Sequence, residues 1–394
     1  MNRQITRLVL LDPELGNPGG HYSSYADTID RACGSLGIHF AVLGGAGSAT
    51  PTFDSINASY VPRWTGGALV NPFVGGYRMH SQLRLHASSI VDAQTLVFAA
   101  TVNHRHYAAL ARWLAELPDV RAPKLAILLR FPEYDATRRV WSRTAPLTRR
   151  GLATVAQVAR HRAIRLVADS ESLADEYRQL TRLPVAALPN PHMFAAEVRP
   201  PRAETATRIG YFGEARREKG FDLLVEAIDL LDKSNHPGGI ELVVQSYVRA
   251  GFEAQGCGES CARLASRASA NLRLLEGVLT AAKFEEEFLA CDAVVLPYEL
   301  ERYGARNSGI FTDAVAAGIA VIATRGTWMH GQMEQGLGTG LTFEDGDAGG
   351  LAEAMIEMAR CRDQMRVAAR QGAARWRDAH DPARFLGELI ELFA

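Results

Sequence analysis

Short apolar runs alternate with amphipathic stretches along almost the whole chain, and this alternation limits the possible folds more than any other feature. A run too short for a helix, bounded by turn residues and followed by a 3.6-residue pattern, reads as a buried strand feeding a helix. That is the unit of a parallel sheet. In the first half strands are expected at residues 7–11, 38–43, 95–99, 124–129, 165–168 and 185–188. Helices are expected at 22–36, 106–117, 147–161 and 170–179, the last with Ser170 as its N-cap. Between residues 189 and 202 the pattern stops in a Pro-Asn-Pro turn and a charged, proline-rich stretch, which reads as a linker. It resumes with strands at 208–212, 240–245, 272–275, 293–296 and 320–323. The helices between and after them fall at 221–231, 261–269, 281–290, 310–317, 348–360 and 382–393.

A chain of 394 residues exceeds one ordinary core. The expectation is α/β: two Rossmann-like, doubly wound parallel-sheet domains facing a cleft. The first spans residues 1–195, the second 196–378, and a helix within 379–394 packs back on the first. Open sheets of this kind bind ligands beyond the carboxyl ends of their strands.

The 43 Lys and Arg nearly cancel the 44 Asp and Glu, for a formal net charge of −1, so no global field favours nucleic acid and no nucleic-acid partner is expected. Five scattered cysteines, Cys33, Cys257, Cys261, Cys291 and Cys361, lack zinc-site spacing and read as reduced thiols. The apolar residues 8–11 are followed at once by Asp12 and Glu14, the mark of a buried strand rather than a secretory leader. No apolar run approaches the ~18 residues of a membrane span. A soluble, cytoplasmic protein is expected.

Two segments carry chemistry. Residues 211–221 leave a strand, turn through Gly213, present Arg216, Arg217 and Lys219, and enter a helix after Gly220. Cations on a short loop at a helix start suit a diphosphate, although a solvated charged loop has the same sequence. Residues 308–318 open a helix with Ser308, Gly309 and Ile310, whose free amides face an anion with the dipole behind them. Asp313, one turn on, is within reach of sugar hydroxyls beside that phosphate; an acid there also serves simply as a dipole partner.

Taken together with Cys291-Asp292 before the strand at 293–297 and the helix–turn–strand from Asp313 through Gly318 to Ala323, these segments resemble the family 4 retaining glycosyltransferases of GT-B fold. Leu188-Pro189-Asn190-Pro191 is similar to that family's proline-asparagine turn, and Gly16 to His21 to its glycine-rich first loop. The resemblance implies that Arg216 or Arg217, Lys219 and the amides of Ser308, Gly309 and Ile310 hold the donor diphosphate, and that Asp313 holds the nucleotide ribose. Gly19 and Gly20 let the first loop approach that phosphate. Two departures stand out. The first of the family's paired glutamates falls on Ala305, leaving Glu299 or Glu301 as substitutes for sugar contact, and Glu214 occupies the place of an arginine.

In the first domain His21, His104 and His106 are candidates for polarising the acceptor or the departing phosphate; capping or surface roles fit the same positions. Arg130, where the family often has histidine, is a further candidate anion or sugar contact. The chemistry follows from charge: breaking the anomeric C–O bond leaves a diphosphate, whose stabilisation dominates. Asp345 and Asp347 form an Asp-x-Asp pair, but Asp347 suits the N-cap of 348–360, so no metal and no cofactor beyond the nucleotide-sugar co-substrate are expected. Residues 136–168 contain no acid and eight arginines, among them Arg138, Arg149 and Arg165. Such a surface attracts an anionic acceptor or the inner face of a membrane, and is equally the solvated side of a helix packed on a sheet.

The expected function is transfer of a sugar from a nucleotide diphosphate to a hydroxyl acceptor, a glycan, glycolipid or small metabolite, with retention by resemblance. Alternatives are a nucleotide-sugar epimerase of the same fold and a non-catalytic nucleotide-sugar-binding scaffold.

Overall fold

A computed structural model describes residues 4–15, 22–44, 55–57, 71–135, 137–193, 206–233, 239–248, 256–267 and 271–394. The chain divides into two units: residues 1–191 with 381–394, and residues 192–380. The first unit carries strands β1 (Arg7–Asp12), β2 (His39–Gly44), β3 (Ser55–Asn57), β4 (Thr95–Ala99), β5 (Lys124–Leu129), β6 (Tyr134–Asp135), β7 (Val140–Trp141), β8 (Ile164–Ala168) and β9 (Ala186–Ala187). Its helices are α1 (Tyr22–Ser35), α2 (Asn71–Gln82), α3 (Tyr107–Glu116), α4 (Ala145–Val158) and α5 (Glu171–Thr181). The second unit adds β10 (Thr207–Tyr211), β11 (Ile240–Ser246), β12 (Leu272–Glu276), β13 (Ala293–Leu296), β14 (Ala320–Thr324) and β15 (Gly340–Phe343). Its helices are α6 (Phe221–Lys233), α7 (Gly258–Ala265), α8 (Ala281–Leu289), α9 (Leu300–Tyr303), α10 (Gly309–Ala316), α11 (Trp328–Glu334), α12 (Ala348–Arg360) and α13 (Arg362–Ala379). The last helix, α14 (Pro382–Glu391), belongs to the first unit.

The first sheet runs β3-β2-β1-β4-β5-β8-β9 and the second β12-β11-β10-β13-β14-β15, with every pairing parallel. Both are doubly wound α/β sheets. Their orders reverse between β1 and β4 and between β10 and β13, so each has a switch point where helices diverge to opposite faces. Side-chain alternation explains why the strands read as continuous apolar runs: successive residues feed both faces. In the second unit Ile209, Val244, Val295 and Ile322 pack with Leu224 of α6 and Met355 of α12. Their neighbours Val243, Val294 and Val321 join Phe311 of α10 and Trp376 of α13 on the other face. In the first unit α14 lies against α1, and Phe385 meets Phe98 with ring centroids 5.8 Å apart. Ser170 accepts the Leu173 N–H and so caps α5, as its sequence position suggests. No described helix is long and apolar enough to cross a membrane.

One buried charge cluster ties the second sheet to α8. Arg208 donates to Glu287 at 2.6 Å, and Glu287, 3% exposed, is also held by Lys283 at 2.9 Å and by Arg273. Burial alone would raise the Glu287 pKa, yet Lys283, Arg273 and Arg208 hold it below the usual carboxylate value. Its contribution is therefore present at neutral pH and lost as pH falls toward that lowered value. Glu287→Leu leaves the buried Arg208 with only its longer contact to Glu241, at 3.6 Å, and is expected to cost about 3–5 kcal/mol in urea unfolding. Arg208→Met leaves Glu287 still paired with two cations and should cost about half as much; equal costs would contradict this account.

Candidate functional site

At the switch point of the second sheet, β10 and β13 end side by side and each releases a glycine-bearing loop. After β10 the chain turns through Gly213, at φ +117°, whose N–H donates to Gln245 at 2.8 Å. Gln245 in turn donates to the Gly277 carbonyl at 3.0 Å, so one buried amide braces the ends of three strands. Residues Arg217–Lys219 form a single 3₁₀ turn closed by Gly220 at φ +65°. A Cβ on Gly220 would fall 1.7 Å from the Pro297 carbonyl oxygen, and one on Gly213 would fall 2.8 Å from Lys219 Nζ. Glycine at 220 therefore lets the cationic loop lie directly on the segment leaving β13, and glycine at 213 leaves room for the Lys219 ammonium. A hydrogen bond from the Glu299 N–H to the Glu218 carbonyl at 3.1 Å fastens it there.

Lys219 Nζ lies 5.9 Å from the centre of the buried Tyr298 ring, and the Tyr298 hydroxyl lies beside Ser308. Ser308 caps α10 by accepting the Phe311 N–H at 3.2 Å. Around this point stand Arg216, 3.4 Å from Glu214 and 3.2 Å from Glu218, and Arg306, 3.6 Å from Glu218 and stacked over Tyr303. Desolvation, with Arg216 and Arg306 adding to it, pushes the Lys219 ammonium down to about 7 against the pull of Glu214 and Glu218. A cationic group so placed gains charge stability from an arriving anion. The first amides of α10, on Gly309 and Ile310, have no acceptor within the helix, and a Cβ on Gly309 would meet only Met193, at 3.7 Å.

Asp313 is 1% exposed. Its Oδ1 accepts the Met193 N–H at 2.9 Å, while Oδ2 has no hydrogen-bond partner among the described residues. Burial pushes its pKa up to about 7. A hydroxyl donor would satisfy that oxygen and favour the carboxylate. Trp376 of α13 steadies this turn by donating to the Thr312 carbonyl at 3.0 Å.

The structure thus gathers Arg216, Lys219, Ser308, Gly309 and Ile310 around one point, with Asp313 a turn further along α10. Arg217 is exposed. Glu299 starts α9, where burial first, then Glu301, Asp345 and Glu218, raise its pKa; Glu301 faces Arg302 at 4.0 Å. Asp347 caps α12 by accepting the Gly350 N–H at 2.9 Å. Three contributors escaped the sequence reading: Arg306, Tyr298 and Gln245. Arg306 carried a usable signal, a cation two residues before a helix cap.

The first-unit candidates have other surroundings. His106 is buried, its Nδ1 accepts the Asn103 N–H at 3.1 Å, and burial, then Arg105 and His104, push its pKa down to about 3. That ring is neutral and serves the turn ahead of α3. Burial also lowers His104, opposed by Glu133. Arg130 follows β5, donates to Asn190 at 3.0 Å, lies 3.8 Å from Asp169 and covers the Tyr25 ring. Gly19, Gly20 and His21 lie outside the described residues.

Residues 206–360 match the profile of the glycosyl transferases group 1 family. The second unit is a glycosyltransferase domain. Solved structures resemble the whole chain at low identity and so speak to fold. A sucrose-phosphate synthase from Thermosynechococcus elongatus matches with TM-score 0.70 and 14% identity, over 99% of this chain and 98% of that one. HepE of Anabaena, in complex with UDP, matches with TM-score 0.65 and 14% identity, over 98% of each chain. A TarM variant from S. aureus, holding Fondaparinux, α-GlcNAc-glycerol and UDP, matches with TM-score 0.67 and 8% identity, over 99% and 100%. The fold is GT-B, as the family resemblance implies, built from the two parallel-sheet units expected from the strand pattern. No curated protein matches the sequence significantly.

Proposed function

We propose that this chain transfers a sugar from a nucleoside diphosphate sugar to a hydroxyl acceptor in the cytoplasm, with retention and without a metal. One observation carries the reading: Lys219 and the Ser308 cap of α10, 89 positions apart in sequence, meet through Tyr298 at the switch point of the glycosyltransferase domain. As the glycosidic bond to the donor breaks, negative charge grows on the diphosphate. Arg216, Lys219, Arg306 and the amides of α10 are fixed in place to receive it, so little reorganisation opposes the step. These groups supply the positive charge a divalent ion would otherwise bring. Asp313 Oδ2 accepts a ribose hydroxyl. HepE and the TarM variant hold UDP, which makes UDP the first nucleotide to test.

The test is a thermal-shift series with UDP, GDP and their sugars, followed by measurement of nucleoside diphosphate release against a panel of hydroxyl acceptors. A nucleotide at about 100 times its Kd adds about 2.7 kcal/mol, or about 5–10 °C for a unit of this size. Release that requires an acceptor is expected. If no nucleoside diphosphate raises the melting temperature, the donor site is wrong; turnover without any acceptor would point to epimerisation.

A further inference from the structure

The arginine-rich segment divides in two once its contacts are known. Arg162 is consumed by the Leu114 and Leu117 carbonyls and by Asp119, and Arg165 by the Leu392 carbonyl and the Phe393 ring. Arg139, Arg143, Arg149 and Arg150 are exposed and form no ion pair among the described residues. They lie on or beside the antiparallel ribbon β6–β7 and the start of α4, where Val140 is 51% and Trp141 40% exposed.

A two-stranded ribbon is marginal alone, yet this one stands on a buried polar base. The Glu133 carboxylate accepts hydrogen bonds from Ser142, Thr144 and Thr148, the last two residues belonging to the start of α4. The Glu176 carboxylate accepts the N–H groups of Glu133 and Tyr134. At the turn, Asp135 accepts the Thr137 and Arg138 N–H groups, and Arg139 sits at φ +57°, a conformation in which glycine or asparagine costs less. The turn keeps a long cation where its backbone would prefer glycine. Trp141 is propped edge-on against Tyr134, with ring centroids 5.1 Å apart.

We propose that this ribbon and the first turns of α4 dock the first unit onto an anionic lipid surface. The arginines match anionic headgroups, and a rigidly held tryptophan beside valine gains by entering the interfacial layer. A soluble polyanion would use the same arginines but would offer nothing to Val140 and Trp141, which favours the lipid. This inference is independent of the donor chemistry.

Co-sedimentation of the full chain with vesicles of pure phosphatidylcholine, and of phosphatidylcholine with about 30 mol % phosphatidylglycerol, tests it. Binding to the anionic vesicles alone is expected, with loss at about 0.5 M salt. The triple change Arg139→Gln, Arg143→Gln, Arg149→Gln should weaken partition about a hundredfold, at roughly fivefold per side chain. Trp141→Ala should weaken it several-fold while preserving the salt dependence. Melting temperature and UDP shift serve as controls in both variants and should match the parent. Absence of anionic-vesicle binding at low salt, equal binding by the triple variant, or binding to heparin without binding to vesicles would each overturn the proposal.

Discussion

Replacing Lys219 with alanine is expected to weaken nucleoside diphosphate binding by about two to three orders of magnitude while leaving the free protein folded. Removing one partner of a desolvated charge pair costs about 2–5 kcal/mol, and Lys219 is the member of its cluster whose ammonium is most depressed. The same depression gives a pH signature. In the free protein Lys219 titrates at about 7 rather than at 10.5, so the folded chain binds fewer protons than the unfolded one between those values. Relative to Lys219→Ala, the parent's melting temperature should therefore rise with pH across that window. A bound phosphate raises the folded pKa back toward its ordinary value, so the affinity should fall as pH climbs above about 7. Inorganic pyrophosphate isolates this limb, because it lacks the ribose that would engage Asp313. With UDP, Asp313 works the other way: its carboxyl titrates at about 7, and a ribose hydroxyl favours the ionised form as pH rises. Calorimetry of pyrophosphate from pH 6.5 to about 9 should show an affinity that falls in the parent relative to Lys219→Ala, the ligand's own ionisation being common to both. Parallel profiles in parent and variant would assign the titration to another group.

What the sequence discloses here depends on whether a feature is local. Buried parallel strands announce themselves because both faces are apolar, as in Val294-Val295 and Val321-Ile322. β15 passed unnoticed because its Gly-Leu-Thr residues are only partly buried. α13 was missed for a different reason: of its eighteen residues only Ala369, Ala373 and Trp376 are buried. Their spacing of four and three is helical, but alanines are a faint signal among so many charges. At the site, Lys219-Gly220 and Ser308-Gly309 were legible as motifs, since each is a contiguous string with its own physical logic. Gln245 was not, because its partner Gly213 is 32 positions away and only the strand order brings them together. His106 shows the limit from the other side. A histidine after a strand edge suggests chemistry, but α3 and the turn before it bury the ring and spend its acceptor on a backbone N–H.

Gly220→Ala should be the most damaging single methyl group that can be added near the site. Gly220 holds φ +65°, where an L side chain costs about 1–2 kcal/mol. The added carbon would also stand 1.7 Å from the Pro297 carbonyl oxygen, less than half a normal contact, and backbone on both sides must move. Overpacking of this kind adds about 1–3 kcal/mol, so a total of about 2–5 kcal/mol is expected from urea unfolding. Gly346→Ala separates the two causes, for its φ is +76° but nothing lies within 4 Å of the added carbon, and it should lose only the conformational part. The displacement at Gly220 must pass to its neighbours. The Glu218 carbonyl that accepts the Glu299 N–H and the ammonium over Tyr298 lie within two residues of it. Pyrophosphate affinity should therefore collapse in Gly220→Ala even at temperatures where the variant is fully folded, and persist in Gly346→Ala. Should the two variants unfold alike and bind alike, the close seating of the cationic loop on the β13 segment would not be what places Lys219.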